Sequence, residues 1–208
     1  MRRGKAYVSP YPILAGRSAR RETVRISHVG GAEGNALGSL GNAYADLGEP
    51  RRAIEHCEQA FAIARELGDR RGESTALGNL GLVYADLGDL RRAIEYYDQS
   101  LAIMREMGDR QGEGQALGNL GHAYADLGEP RHAIELYDQR LAIAQEVGDR
   151  RGEGFALYRS AEAFDQLGDR AEAIRQMQDA LAILGQIEHP MAARARAKLA
   201  EWRRKGGG

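Results

Sequence analysis

The apolar residues of this chain form stripes at the spacing of a helix face. One stripe, at i, i+3, i+4 and i+7, predicts an amphipathic helix, here called helix A; it consists of Leu77, Leu80, Gly81 and Tyr84. Gly88 then provides a stop for that helix. A second apolar face predicts a helix B that runs to about Met107; it consists of Ala93, Ile94, Tyr97, Leu101 and Ile103. The pattern therefore predicts two helices joined by a short turn.

This two-helix unit returns at intervals of forty residues. The segment ALGNLGLVYADLG, at 76–88, reappears as ALGNLGHAYADLG at 116–128 and as ALGSLGNAYADLG at 36–48. A more divergent copy, ALYRSAEAFDQLG, spans 156–168. Residues 73–112 and 113–152 are identical at 27 of 40 positions, which chance does not produce.

A helix pair of this kind cannot bury its apolar stripe alone. Consecutive pairs are therefore expected to stack, with a continuous core and a concave face. We predict an all-α fold, a right-handed superhelical solenoid of four tandem units at about 31–69, 70–109, 110–149 and 150–190.

Residues that favour helix starts stand at the expected places. Pro50 and Pro130 fall where the first turn of a helix B begins, and a missing N–H costs nothing there. Asp169 and Glu172 have the spacing of a capping box. An aspartate that follows a glycine is expected to cap each next helix A; these are Asp69, Asp109 and Asp149.

The two ends of the chain depart from the repeat. Residues 1–30 lack the pattern and are expected to be disordered at the start, although Val24, Ile26 and Val29 could form part of a helix. The segment 191–205 is rich in Ala, Arg and Lys and predicts one helix that caps the last unit, with Leu199 and Trp202 inward; a glycine tail follows at 206–208.

Composition narrows the function. Lys and Arg number 29 and Asp and Glu 30, so the net charge of −1 gives no general attraction to nucleic acids or anionic membranes. Cys57 is the single cysteine, which excludes an intrachain disulfide and a cysteine-based zinc site. The apolar runs are too short to span a bilayer, and the start shows no signal peptide. We expect a cytoplasmic protein with no nucleic-acid or membrane partner.

The order of residues within the unit resembles the tetratricopeptide repeat. In that family a large residue, Leu, Gly and Tyr precede Ala and an aromatic residue, matched here by Leu77, Leu80, Gly81, Tyr84, Ala93 and Tyr97. The usual unit has about 34 residues. This one has forty, with a Gly-Asp-Arg-x-Gly-Glu junction at 68–73, 108–113 and 148–153. The longer form resembles repeats of spindle-orientation adaptors, kinesin light chains and bacterial signalling ATPases, and the resemblance covers about residues 31–190.

The sequence shows no recognisable catalytic site. The glycines near residue 38 lack both the Lys-Ser/Thr of a phosphate loop and the preceding strand of a dinucleotide fingerprint. Gly41, Gly81 and Gly121 are instead expected where helices A and B approach closely. The five histidines show no metal-ligand spacing, and no nucleophile cluster is apparent. We therefore expect neither enzyme activity nor a cofactor or metal.

The resemblance implies that the face of helix A opposite the core lines a groove for a protein or peptide ligand. Among spindle-orientation adaptors, asparagines there bind the ligand backbone, a role that carries over to Asn79 and Asn119. A side-chain amide can both donate and accept, and glycine beside each asparagine would let a peptide come close. The alternative, that these amides only face water, stays open. The other candidates on this face are Asn42, His122, Phe155, Tyr158 and Arg159.

The fourth unit places aromatic and charged residues on this face. Phe155 and Tyr158 could form an anchor pocket for an apolar ligand residue, and Arg159 could meet an acidic one. A row of carboxylates on one rim favours a ligand with some basic character; it consists of Asp46, Asp86 and Asp126. Glycine stands where chaperone-binding relatives have a clamp lysine, so a chaperone C-terminus is disfavoured.

Other functions compete with this one. An incompletely capped first unit could let copies associate end to end, which makes the chain a self-assembling module and a homo-oligomer. The chain could also be the regulatory arm of a larger signalling protein. RNA recognition by helical repeats is disfavoured by the charge balance.

Overall fold

The computed structural model describes residues 17–205, and side-chain surroundings for residues 30–204. The disorder expected at the very start and the glycine tail at 206–208 lie outside these residues. Within them the backbone forms nine helices and no strand: α1 (Arg17–Asp46), α2 (Pro50–Leu67), α3 (Arg70–Asp86), α4 (Leu90–Met107), α5 (Arg110–Asp126), α6 (Pro130–Val147), α7 (Arg150–Gln166), α8 (Arg170–Gln186) and α9 (Met191–Lys205).

The helices pack in sequence order, each against the next along the chain, and the first helices of successive pairs also touch, α1 with α3 and α5 with α7. Helices α1, α3, α5 and α7 are the four A helices, and α2, α4, α6 and α8 are the four B helices. The apolar stripes of neighbouring pairs merge into shared clusters, so that Leu80, Tyr97 and Leu117 belong to one core. The predicted all-α solenoid of tandem helix pairs is confirmed.

The glycine-rich junction between units works through the predicted caps. Oδ1 of Asp69 accepts a hydrogen bond from the N–H of Gly72 at 2.9 Å, and Asp109 and Asp149 do the same for the glycines three residues on. Gly68 before the cap has φ of +67°, a left-handed conformation that favours glycine. Asp169 likewise caps α8, but Glu172 pairs with Arg175 and does not complete the predicted capping box.

The junction arginine ties the two helices of its own unit together. Nη1 of Arg70 lies 2.7 Å from Oε2 of Glu73, and Nη2 of the same side chain pairs with Glu106 at the end of α4. Arg110 and Arg150 repeat this arrangement one and two units later. Since the glutamate three residues after each arginine is largely buried, the recurring pair satisfies a charge that would otherwise be left without water.

In the second and third units, a glycine of helix A faces an aromatic ring of helix B at close distance. A Cβ added to Gly81 would lie 2.6 Å from Cδ1 of Tyr97, and one added to Gly121 would lie 2.5 Å from Cε1 of Tyr137. The predicted role of these glycines as contact points is confirmed. The fourth unit has Ala161 in place of the glycine, and Met177 in place of the tyrosine.

The two ends of the solenoid differ. Helix α1 begins at Arg17, so the first A helix continues back through the segment where only a partial helix was expected. Its outer face is open: Leu40 is 45% exposed, whereas the equivalent Leu80 is 1% exposed under α2. At the other end α9 covers the last pair, and Leu199 and Trp202 are buried there, as the sequence predicts.

Two glycines of one helix give a matched test of the A–B contact. Gly81→Ala should lower the free energy of unfolding by about 1–3 kcal/mol, because its methyl group meets the buried Tyr97 ring. Gly78→Ala should raise it by up to about 1 kcal/mol, since nothing lies within 4 Å of the added carbon and alanine favours helix. Urea unfolding followed by circular dichroism measures both.

The pair found in the fourth unit supplies a rescue of that variant. Adding Tyr97→Met to Gly81→Ala should recover much of the lost stability, because a flexible side chain can make room for the methyl group. If the double variant is less stable than Gly81→Ala alone, contact with the ring does not explain why position 81 holds a glycine.

Cys57 reports on the packing of α1 against α2. Burial raises the pKa of its thiol to about 11, and a Cβ on Gly41 would lie 2.5 Å from its sulfur. Reaction with a thiol-specific reagent at about pH 8 should therefore be at least about a hundredfold slower in the native protein than in concentrated guanidinium chloride. Fast labelling of the native protein would mean that α1 does not cover this cysteine.

Candidate functional site

The A helices present a continuous surface opposite the core, here called the groove. One part of it is a cavity of about 200 Å³ between α1 and α3, with Ala60, Ile63 and Ala64 of α2 as its floor. The polar side chains around it are Asn35, Ser39, Asn42, Asp69, Thr75 and Asn79. The structure thus brings together two predicted residues, Asn42 and Asn79, with three others on the same face.

Four of these polar side chains differ in whether they already make a hydrogen bond. The hydroxyls of Ser39 and Thr75 donate to carbonyl oxygens of their own helices, each at 2.9 Å. The side-chain amides of Asn42 and Asn79 make no hydrogen bond to any residue that the structure describes. Asn79 is half-buried, and its amide nitrogen lies 3.6 Å from the place of a Cβ on Gly38. This amide therefore faces the cavity with its hydrogen-bonding capacity unused.

The third predicted asparagine has different surroundings. Asn119 is half-buried and also makes no hydrogen bond among the described residues, but the neighbouring Gly118 is covered by Arg140. A Cβ on Gly118 would lie 2.9 Å from Cζ of that guanidinium. The expectation that glycine beside each asparagine leaves room for a ligand backbone therefore suits Gly78 and is wrong for Gly118, because a side chain from helix B fills that space.

Arg140 was not predicted as a site residue. It is partly buried at the level of the groove between α5 and α7, and desolvation lowers the pKa of its guanidinium, helped by the nearby Arg151 and Arg159 and opposed mainly by Asp149. Arginine nevertheless stays protonated. Among described residues it has no ion pair within 4 Å and no hydrogen bond.

Phe155 and Tyr158 do not together form the anchor pocket that was expected in the fourth unit. Tyr158 is 7% exposed and belongs to the core that α9 closes, so its ring is withdrawn from the groove. Phe155 stays half-buried, with its ring edge-on to His189 at 5.2 Å between centroids and the guanidinium of Arg151 5.3 Å from its centroid. The sequence pattern of α7 alone does not reveal that α9 covers part of this helix face.

The remaining predicted residues lie along the groove and its rim. Nη1 of Arg159 pairs with Oε2 of Glu162 at 2.9 Å, and Nζ of Lys198 on α9 reaches the other oxygen of that carboxylate at 3.1 Å. His122 is exposed, with Nδ1 3.3 Å from Asp126. The rim carboxylates are all exposed; they are Asp46, Asp86 and Asp126.

Two negative findings apply to the described part of the chain. Between residues 17 and 205, no group of three or more His, Cys, Asp or Glu side chains is placed to hold a metal ion. None of the helices in that stretch combines the length and apolar character needed to cross a bilayer.

One signal in the sequence could have revealed Arg140. Its position is occupied by a small residue in every other unit, namely Ala60, Ser100 and Ala180. A long charged side chain at one copy of an otherwise small position marks a local change of packing. Periodicity alone places this residue on a helix B and says nothing of its reach into the groove.

Comparisons with known proteins agree with this architecture. A family model described as tetratricopeptide repeat matches residues 33–106 and 112–186. No curated protein is similar enough in sequence to count as a match. Several solved structures share the fold.

Three of them illustrate the range. A putative kinesin light chain with nearly identical TPR-like repeats from Podosopora anserina is 21% identical, with a TM-score of 0.71 over 89% of this chain and 88% of that one. BtubC (BKLC) from P. vanneervenii is 20% identical, with a TM-score of 0.79 over 91% and 79%. The tetratricopeptide repeat sensor protein of the signal transduction ATPase class from Pyrococcus horikoshii is 17% identical, with a TM-score of 0.71 over 89% of this chain and 29% of that one. At these identities the likeness concerns the fold alone.

Proposed function

Because the chain belongs to the tetratricopeptide repeat family, we propose that it is a non-catalytic interaction module whose groove holds an extended segment of a partner protein. The observation that carries this proposal is the cavity of about 200 Å³ between α1 and α3, into which Asn79 directs an unused amide. A repeat protein of this kind serves protein interaction or regulation.

The chemistry of the cavity suits a peptide backbone. An extended peptide presents N–H and C=O groups at regular spacing, and each asparagine amide can pair with one of either kind. Because Gly78 leaves open space beside Asn79, main-chain atoms of a ligand can reach the amide without meeting a side chain. Such contacts do not depend on ligand sequence and supply general affinity.

Side-chain contacts would then set specificity. Leu82 is 46% exposed on the groove side of α3 and offers apolar area to a ligand residue. Asp86 and Asp126 lie along the rim and favour a basic residue nearby, although exposed charges contribute little affinity. These features describe a ligand with an apolar residue at the second unit and some positive charge at the rim.

Self-association is a second candidate, and one observation favours it. The outer face of α1 exposes Leu40 to 45%, together with Ala36 and Ala43. In the next unit, the equivalents of Leu40 and Ala43 are Leu80 and Val83. These are only 1–2% exposed because α2 covers them. A second copy of the chain could cover the α1 face in the same way.

The asparagine contact predicts a loss of peptide binding. With peptides selected from a displayed library of random twelve-residue sequences, Asn79→Ala with Asn119→Ala should weaken binding about tenfold, the loss expected for two neutral hydrogen bonds. Gln99→Ala is the control, since it removes an exposed amide on helix B that bonds to its own helix. Fluorescence anisotropy measures the dissociation constants.

The outcomes separate clearly. Equal weakening by Gln99→Ala would show a general effect on the protein and not a groove contact. Selected peptides that bind the double variant as tightly as the wild type would place the binding surface elsewhere.

The α1 face predicts the result of a size measurement. If copies associate through it, light scattering should show a mass that rises with protein concentration, and Leu40→Gln should shift that rise to higher concentration. Leu82→Gln is the matched control, because that leucine is exposed to nearly the same degree but lies in the groove. A constant monomer mass at all concentrations removes this candidate.

A further inference from the structure

An open cleft of about 620 Å³ lies between the B helices α6 and α8, over the start of α7. It is here called the outer cleft. Three polar residues of its lining are Gln145 of α6, Glu153 of α7 and Asp179 of α8. The lining includes none of the residues named above for the groove, so a ligand bound here would be distinct from one held there.

The preceding unit shows which side chain fills the equivalent space. Nε of Arg105, on α4, donates to Oε1 of Glu113 at 2.9 Å, and its Nη2 donates to Oε1 of Gln139 on α6 at 3.3 Å. The other oxygen of Glu113 pairs with Arg110, so both oxygens of this buried carboxylate are satisfied. These three positions of α4, α5 and α6 correspond, forty residues on, to the three polar positions of the outer cleft.

In the outer cleft the chain does not supply that arginine. Gln145 is shorter and uncharged, and it makes no hydrogen bond to Glu153 or Asp179. Oε2 of Glu153 lies 2.7 Å from Nη1 of Arg150, whereas Oε1 has neither an ion pair nor a hydrogen bond with any residue that the structure describes. Because Glu153 is only 5% exposed, this oxygen is largely withdrawn from water without having gained a donor.

The two cations that line the cleft are already paired elsewhere. Nε of Arg175 donates to Oε2 of Glu172 at 2.8 Å, and its Nη1 lies 3.6 Å from Oδ2 of Asp179. Arg150 uses its Nη2 to donate to Gln186 at 3.1 Å. The outer cleft therefore lacks one donor, at the place that an arginine of the chain fills in the preceding unit, and keeps the space for it.

A guanidinium suits this space better than other cationic groups. Its N–H groups point in fixed directions and can reach acceptors on two helices at once, as those of Arg105 do. A hydrogen bond between charged groups is stronger than one between neutral groups. Leu157 is 8% exposed in the cleft, whereas the equivalent Leu117 is fully buried, which leaves apolar surface for the methylene stem of a ligand arginine.

We propose that the outer cleft receives an arginine side chain of a partner protein, which pairs with Oε1 of Glu153 as Arg105 pairs with Glu113. A partner is needed because the position that supplies this arginine in the preceding unit holds Gln145 here. The site goes beyond the proposed function, since it is independent of what the groove holds.

Differential selection isolates ligands of this cleft. Twelve-residue peptides from a displayed random library are selected on the wild type and counter-selected on Gln145→Arg, which rebuilds the Arg105 arrangement and fills the site from within. Peptides that bind the groove bind both proteins and are removed. Gln111→Arg is the matched control, because it adds the same charge at an exposed position where the equivalent residues are Arg71 and Arg151.

The recovered peptides should share an arginine. They should bind the wild type and Gln111→Arg equally, and Gln145→Arg at least about tenfold more weakly, as fluorescence anisotropy measures. Replacing the shared arginine by citrulline, which has nearly the same shape and no charge, should weaken binding to the wild type about tenfold.

The receptor carboxylate is tested separately. Glu153→Gln should remove the difference between arginine and citrulline peptides. Thermal unfolding shows whether each variant is folded, and Gln145→Arg should unfold at or above the wild-type temperature because it repeats an arrangement already present in the chain. The test therefore does not depend on the stability of Glu153→Gln.

Several results would overturn this inference. The first is that no peptide survives the counter-selection, and the second is that citrulline peptides bind as tightly as arginine peptides. Loss of binding in Asn79→Ala with Asn119→Ala would place the peptides in the groove instead. A mass that rises with concentration for the wild type but not for Gln145→Arg would assign the cleft to a second copy of the chain and not to a different protein.

Discussion

The close approach of a helix A backbone to an aromatic ring of helix B determines the geometry of the unit. Gly81 meets Tyr97 and Gly121 meets Tyr137 with no space for a Cβ. A larger residue would move the helices apart and would rotate the opposite face of helix A, which is the groove. The pair at this contact differs between units: Gly41 and Cys57 in the first, Ala161 and Met177 in the fourth, although helix A packs against helix B in each.

Much of the fold follows from the sequence because its determinants are local. Helix stops, caps and the glycine contacts depend on residues a few positions apart or on one helix pair, and they recur in register every forty residues. The Asp69 cap and the Gly81 contact were therefore predictable. The start of α1 at Arg17 was not, since the segment before residue 31 carries no repeat signal from which to extend the helix.

The candidate site is only half predictable, for a related reason. Periodicity assigns a residue to a face of its helix, and this placed Asn79 correctly beside an open cavity. It does not reveal what another element lays over that face. Tyr158 is covered by α9, and Gly118 is covered by a side chain long enough to cross from α6. Both errors come from contacts between elements, which the pattern within one helix does not contain.

Near-identical units do not produce a uniform groove. The helix B residue that lies between two successive A helices is Ala60 in the first unit, where a cavity stays open. In the second unit it is Ser100, whose hydroxyl pairs with that of the buried Ser74. In the third unit it is Arg140, which brings a positive charge to this position. These changes alter single side chains without disturbing the A–B contact. Repetition thus fixes the scaffold, and the few positions that differ between copies give each section of the groove its own chemistry.

The charged side chains of the groove differ greatly in how strongly each can interact with an opposite charge. A net charge of −1 provides no long-range steering, so the electrostatics of the groove are set by the charges close to it. The rim carboxylates are exposed, and water screens them to a small contribution each. Arg140 is partly desolvated and lies among other cations, where an opposite charge is felt more strongly. Charge in this groove therefore acts through where a side chain is placed and how far it is withdrawn from water, and not through the net charge of the chain.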